Sequence, residues 1–207
     1  MVQKEKDKPK KRGRPRAYDP ATAVARAAGT FWKAGYAGTS LDDLSEATGM
    51  NRPSLYAAFG DKRDLYLKTL EHYRDESRAL ALAALADDPP LRVFLKRFYH
   101  KALELYLGDG PRGCYSIGTA TTVAAVDDDV RAFLAKSMRA TDQFLKMQIE
   151  KAQERGEIAA GADPAALAYL ASATLHTLAV RSRAGLPRKE LDALVDAAIG
   201  VICAPAR

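Results

Sequence analysis

Few side chains in this sequence are of a kind that does covalent chemistry, and those few are scattered. The two cysteines, Cys114 and Cys203, and the three histidines, His72, His100 and His176, form neither a CxxC pair nor the Cys/His spacing of a metal site. No nucleophile stands at motif spacing from a base and an orienting partner, and no glycine-rich phosphate loop occurs. Nothing in the spacing therefore points to an enzyme, a metal or a cofactor. Cys114 has the sharpest surroundings. Arg112 and Gly113 precede it and a helix start follows, which favours a thiolate that could meet electrophiles or oxidants, although a small buried structural cysteine is the commoner case. Cys203, near the terminus, suggests no role. The second chemistry is electrostatic. Residues 1–16 hold eight Lys or Arg against Glu5 and Asp7, an excess of +6 that matches the +6 of all 207 residues. The basic character thus belongs to an N-terminal arm, and the remainder is formally neutral.

The elements that must position these residues read as helices throughout. Glycines and prolines divide the chain into segments of helical length, and sustained period-2 alternation between hairpin signals is absent, so the expected fold is all-α with about nine helices. The first should span residues 20–34, capped by Asp19, opened by Pro20, ended by Gly35 and facing inward through Val24, Ala28, Phe31 and Trp32. A short helix capped by Ser40, with Asp43 three residues on, should bury Leu41 and Leu44 and stop near Gly49. A third, capped by Asn51 with Pro53 in its first turn, carries Leu55, Tyr56 and Phe59 and closes at Gly60. Asp61 caps a long helix to about residue 86, broken by Asp87, Asp88, Pro89 and Pro90. Further helices are expected over residues 91–107, 115–125, 128–155, 164–184 and 188–202. The longest charge-free apolar stretch, residues 165–180, contains Ser172, Thr174, His176 and Thr177 and is shorter than the ~20 residues of a bilayer span; no membrane segment or signal-peptide pattern is read. With two unpaired cysteines, a reducing cytoplasm is the expected setting.

The second and third helices are too short to stand alone, and their connection is tight, which is the construction of a helix-turn-helix. Small Ser45 lies four residues before Gly49 and apolar Leu55 six after it, so the helices can approach, turn and anchor. Residues 34–66, AGYAGTSLDDLSEATGMNRPSLYAAFGDKRDLY, resemble the N-terminal signature of the TetR family of bacterial transcriptional regulators in the G-Y, T-S, turn glycine, S-L-Y, F and D-K landmarks and the Leu that follows. Ser45 departs from the alanine usual there but is small enough to pack. The close match covers about the first third of the chain, and the remainder corresponds in helix number, length and order.

The resemblance implies a ligand-responsive repressor that leaves a palindromic operator when a small-molecule inducer binds. Behind the basic arm of residues 1–16, expected to be disordered, it implies a DNA-binding domain over 17–62 and a ligand-binding and dimerisation domain over 63–207. Asn51, Arg52, Pro53 and Ser54 would meet base edges in the major groove, with Arg52 able to bond guanine O6 and N7 together. Thr39, Ser40, Tyr56 and Lys62 would hold phosphates, Tyr56 sharing that role with a place in the core. In the arm, Lys10, Lys11, Arg12, Arg14 and Arg16 include an Arg-Gly-Arg-Pro run that resembles a minor-groove AT-hook; a solvated basic tail is the other reading, and either raises DNA affinity by counterion release. Two copies on a pseudopalindrome would supply the specificity that one short helix lacks. The homodimer contact is expected from Ala168, Ser172, Leu175 and Ala179 of the eighth helix and Leu191, Leu194, Val195, Ala198 and Ile202 of the ninth. Tyr73, Phe94, Phe98, Tyr106, Tyr115, Phe144 and Met147, with His176 as polar anchor, would line the inducer pocket, although any one of them taken singly is more often a core residue. Some members of the family resemble the Gly-Cys start of the sixth helix, with Arg181 then an electrostatic partner for Cys114 across the core. A nonspecific nucleic-acid binder is the remaining alternative.

Overall fold

The computed structural model describes residues 18–108 and 110–204. The arm residues Lys10, Lys11, Arg12, Arg14 and Arg16 lie outside that range. The described residues form nine α-helices and one 3-10 turn, with no strand among them: α1 (Pro20–Gly38), α2 (Leu41–Thr48), α3 (Arg52–Phe59), α4 (Lys62–Ala84), α5 (Leu91–Leu107), α6 (Tyr115–Ala120), the 3-10 turn (Val123–Ala125), α7 (Asp128–Glu154), α8 (Pro164–Arg183) and α9 (Arg188–Ile202).

Local chemistry accounts for most of the boundaries. Asp19 caps α1 by accepting from the Thr22 amide, and Ser40 and Asp43 exchange the reciprocal bonds of a capping box at α2. Asn51 caps α3, and Asp61 with Asp64 forms a second capping box at α4. Gly49 takes φ 70°, a left-handed conformation that lets α2 stop and α3 leave within a few residues. Two expected segments differ. The chain leaves helical geometry at Gly35 (φ 74°) but resumes it to Gly38, and the segment expected over 115–125 is a six-residue helix followed by the 3-10 turn.

Two hydrophobic cores result. In the first, Ala23, Ala27, Phe31 and Trp32 of α1 pack with Leu44, Leu55 and Phe59 of α2 and α3 and with Leu65, Tyr66, Leu70 and Tyr73 of α4. Val24 is only half-buried, with Ala23 and Ala27 filling the inward face. This core runs on without a break into Tyr115, Ala124, Val130 and Leu134, so α2 and α3 share their interior with α6 and the start of α7. The second joins Phe94, Leu95, Tyr99 and Leu103 of α5 to Leu145 and Ile149 of α7, Ala168, Ala171 and Leu178 of α8 and Leu191, Val195 and Ile199 of α9. Each fully enclosed large side chain contributes about 1.5–3 kcal/mol, enough in number to hold helices that are individually marginal. Among the described residues, no helix is long and apolar enough to cross a membrane.

Six residues expected at a homodimer contact are instead inside the second core: Ala168 and Ala179 at 2% exposure, Ser172 at 5%, Leu191 and Val195 at 0% and Ile202 at 2%. Leu175, Leu194 and Ala198 are half-buried. The correction has a simple cause. Helix α8 is apolar around most of its circumference, so periodicity marks the stripes without saying which one packs inward. The side left outside carries Tyr169 (63% exposed) and Val180 (57%), and Val201 (62%) is its counterpart on α9.

Candidate nucleic-acid interface

Helix α3 is anchored from below and open above. Leu55 and Phe59 are buried, while Asn51, Arg52, Pro53 and Tyr56 are exposed and Ser54 is half-buried. The Asn51 side chain accepts from the Ser54 amide at 2.9 Å, which satisfies one of the amides that a helix start leaves unpaired. Arg52 is held from the neighbouring helix. Its Nε donates to Asp42 Oδ1 at 3.0 Å and its Nη2 to Asp42 Oδ2 at 2.6 Å. Hydrogen bonding to Asp42 pushes the guanidinium further into its charged form. Such an exposed pair adds little to stability; its effect is on where the guanidinium points.

The four expected phosphate ligands divide. Tyr56 is 47% exposed beside the Arg52 turn. Ser40 is exposed, with its hydroxyl committed to Asp43 Oδ2 (2.7 Å) and accepting from the Asp43 amide, whose carboxyl is kept below its ordinary pKa chiefly by the Ser40 backbone N–H. Lys62 stands 4.5 Å from the Tyr36 ring centroid at the start of α4, a cation over an aromatic face. Thr39 is corrected: it is 1% exposed and its hydroxyl donates to the Gly35 carbonyl at 2.7 Å. The Thr39 hydroxyl thus turns inward to the carbonyl four residues before it, at the point where the backbone leaves helical geometry.

Sequence reasoning missed Asp42 and Arg63. Arg63, next to Lys62, donates through Nε and Nη2 to both Asp127 oxygens (2.6 and 2.9 Å) and through Nη2 to Asp129 (2.7 Å). The clamp ties the first turn of α4 to the first turn of α7. Arg63 holds the Asp127 carboxyl at a pKa of about 2, with the Val130 amide, which Asp127 caps, adding to the effect. Partners 64 and 66 residues apart leave no local signal.

The expected ligand set is also divided, a second correction. Phe94, Phe98 and Tyr106 are buried in the core around α5, with Phe94 and Phe98 stacked at 5.7 Å and half-buried Phe144 edge-on at 5.9 Å. The gap beside Phe94 holds only about 10 Å³. Met147 is 47% exposed, and His176, whose pKa burial lowers against the pull of Asp142, lies on α8 away from the larger cavity. That cavity, about 80 Å³, is lined by Phe31, Trp32 and Tyr36 of α1, Tyr66 of α4, Cys114, Tyr115, Thr119 and Arg183. Tyr115 is the member of the expected set that reaches it. Trp32 stacks on Tyr115 at 5.9 Å and meets Tyr73 edge-on at 5.0 Å. Tyr66 and Thr119 share a hydrogen bond at 2.8 Å, as do Tyr115 and Thr69 at 2.9 Å, and burial pushes the Tyr115 phenol up. Tyr73 donates to Cys114 Sγ at 3.2 Å. Arg181, proposed to face Cys114, points elsewhere and donates to Thr177; Arg183 is the arginine at the cavity, bonded to the Arg112 carbonyl at 3.1 Å. Two residues along a helix turn the side chain about 200° around its axis, so the two arginines face opposite ways.

Comparison with known proteins matches both parts of the chain. Residues 23–69 match the family described as "Bacterial regulatory proteins, tetR family", and residues 94–198 match "Tetracyclin repressor-like, C-terminal domain". The HTH-type transcriptional repressor ComR of Escherichia coli (strain K12) is 30% identical over 184 residues, 88% of each chain. The HTH-type transcriptional repressor BdcR of the same strain is 36% identical over 103 residues, 49% of this chain and 51% of BdcR. Among solved structures, a cysteine mutant of the TetR family transcriptional regulator CifR complexed with 26 bp double-strand operator DNA is 32% identical, with TM-score 0.81 over 90% of this chain and 98% of that one. With helices in this order, an open α3 and both parts matched, the chain belongs to the TetR family of bacterial regulatory proteins and is a DNA-binding transcriptional regulator.

Proposed function

We propose that a homodimer of this chain represses transcription from a palindromic operator, reading bases with Asn51, Arg52, Pro53 and Ser54 and fixing its position on phosphates through Ser40, Tyr56 and Lys62. The observation that carries the reading is the outward presentation of Arg52 at the first turn of α3, above a helix anchored by Leu55 and Phe59. Relatives described as repressors and as bound to operator DNA support it. The copies would meet through the side of α8 and α9 that carries Tyr169, Val180 and Val201. The test is selection of bound duplexes from a random-sequence library, followed by footprinting. A discrete palindromic site supports the regulator, and uniform, salt-sensitive coverage supports a nonspecific binder instead. Arg52→Ala is expected to cost about 1–3 kcal/mol of discrimination at one base pair per half-site.

The inducer would occupy the aromatic cavity between α1, α4, α6 and α8. Its walls include Phe31, Trp32 and Tyr36 from α1, the helix that packs on the reading pair, so a ligand there preferring one arrangement of α1 shifts the population that fits DNA. A second reading has its own observation: Cys114 lies on that wall with Sγ accepting from Tyr73. A thiol-directed electrophile or oxidant entering the cavity would then be the signal. Induction that persists in Cys114→Ser for every inducer removes this second reading.

A further inference from the structure

The guanidinium of Arg52 has two edges that can each form a pair of parallel hydrogen bonds. One comprises Nε–H and an Nη2–H, and the other an Nη1–H and the second Nη2–H. Asp42 occupies the first, with Oδ1 on Nε at 3.0 Å and Oδ2 on Nη2 at 2.6 Å. The second edge faces away from the carboxylate, and its two donors match the spacing of guanine O6 and N7. Both partners are well exposed, at 53% for the Arg52 side chain and 75% for Asp42, so a duplex can approach the pair without unfolding anything.

An acidic side chain at this position needs explaining, because a carboxylate beside DNA phosphates opposes binding. Asp42 lies in the first turn of α2, where a helix start favours it, but Asp43 already occupies that turn and closes the capping box. The bonds to Arg52 are what Asp42 makes and Asp43 does not.

We propose that Asp42 is a specificity-determining positioning residue, which grips the side edge of the Arg52 guanidinium from α2 and so presents the end edge to a guanine in a preset orientation. The proposal rests on the reading of Arg52 as a base contact. A free arginine side chain adopts many rotamers and loses that freedom on binding. One already fixed loses less, and the gain is confined to the base that accepts both bonds.

The experiment uses the full chain. Duplexes selected by the wild-type protein from a random library are varied one base pair at a time, and competition binding is measured for wild type, Arg52→Ala, Asp42→Ala and Asp42→Asn, with thermal unfolding of each free protein alongside. Wild type should prefer guanine roughly ten- to hundredfold at the base pair where Arg52→Ala abolishes preference. Asp42→Ala should reduce preference at that same pair to a few-fold, leave the other positions intact, and leave affinity for random duplex equal or higher. Asp42→Asn, which keeps one acceptor, should fall between. A preference that is unchanged or sharpened in Asp42→Ala overturns the proposal, the latter by making Asp42 a competitor for Arg52. A loss at a different base pair makes it a reader of its own and overturns it too, and a uniform loss with a lowered melting temperature reduces it to a structural role. If Arg52→Ala alters no position, the base-contact reading itself fails and the proposal falls with it.

Discussion

Ser45 carries a hydroxyl into a position where only its small size is needed. Its Oγ is buried without a hydrogen-bond partner among the described residues, as is that of Ser182. A buried, unpaired hydroxyl costs about 1–3 kcal/mol. Ser45→Ala is therefore expected to raise stability by about 1 kcal/mol, seen as a melting temperature roughly 2–4 °C higher. A lower value would mean that the hydroxyl has a partner after all. Thr39 shows the opposite case at the same scale. Its residue type and its place at the start of α2 suited a phosphate contact, yet its hydroxyl is turned inward to the Gly35 carbonyl. Which of two acceptors a hydroxyl meets depends on the path of the backbone, and the backbone departs from helix at one glycine.

Between elements, the contacts that orient α6 and α7 are tight and specific. Gly113, at φ 65°, precedes α6 and passes so close to α8 that a Cβ there would stand 2.6 Å from the Ala179 carbonyl oxygen. Gly113→Ala must therefore move one helix or the other, at a cost of about 2–4 kcal/mol from backbone strain and overpacking together. Urea unfolding would show this as a lower midpoint, and an unchanged midpoint would contradict the close approach. The Arg63 clamp makes a pH-dependent contribution. Asp127 has a folded pKa of about 2 against an ordinary 3.8, so its stabilisation is complete above that ordinary value and lost as pH falls through 2. Melting temperature should drop between pH 4 and pH 2 in the wild type and drop less steeply in Arg63→Ala, in which Asp127 titrates nearer its ordinary value. Equal slopes would show that the clamp does not hold the carboxyl down.

For the whole molecule, the question is which surfaces remain for partners once both cores are filled. Ala168, Leu191 and Val195 are spent inside the chain's own core, and Tyr169, Val180 and Val201 are left outside. Tyr169→Glu combined with Val201→Glu is expected to yield a monomer by light scattering that keeps its helical circular dichroism, whereas Ala168→Glu is expected to unfold the chain, since an unpaired charge would enter the core. A dimer that survives the double change would place the contact elsewhere. The first core, running from α1 through α4 into α6 and α7, gives α2 and α3 a shared interior with the helices around the proposed inducer cavity. A cavity whose wall is α1 is therefore mechanically close to α3 without any separate linkage.

Taken alone, the sequence determined the class, the count and order of the helices, and the turn that makes α2 and α3 a helix-turn-helix. Those features are local: Asp19, Asn51 and Asp61 cap amides within three residues of themselves, and Gly49 needs nothing beyond its own dihedrals. The tertiary structure decided which apolar stripe of α8 faces inward, which aromatics share a cavity, that Arg183 and not Arg181 lines that cavity with Cys114, and that Arg52 and Arg63 have carboxylate partners. Each of these is a contact between helices, and such contacts follow from how helices rotate about their axes when packed together. Periodicity defines the stripes of a helix but not that rotation, which emerges only when all the helices have been packed around their shared cores.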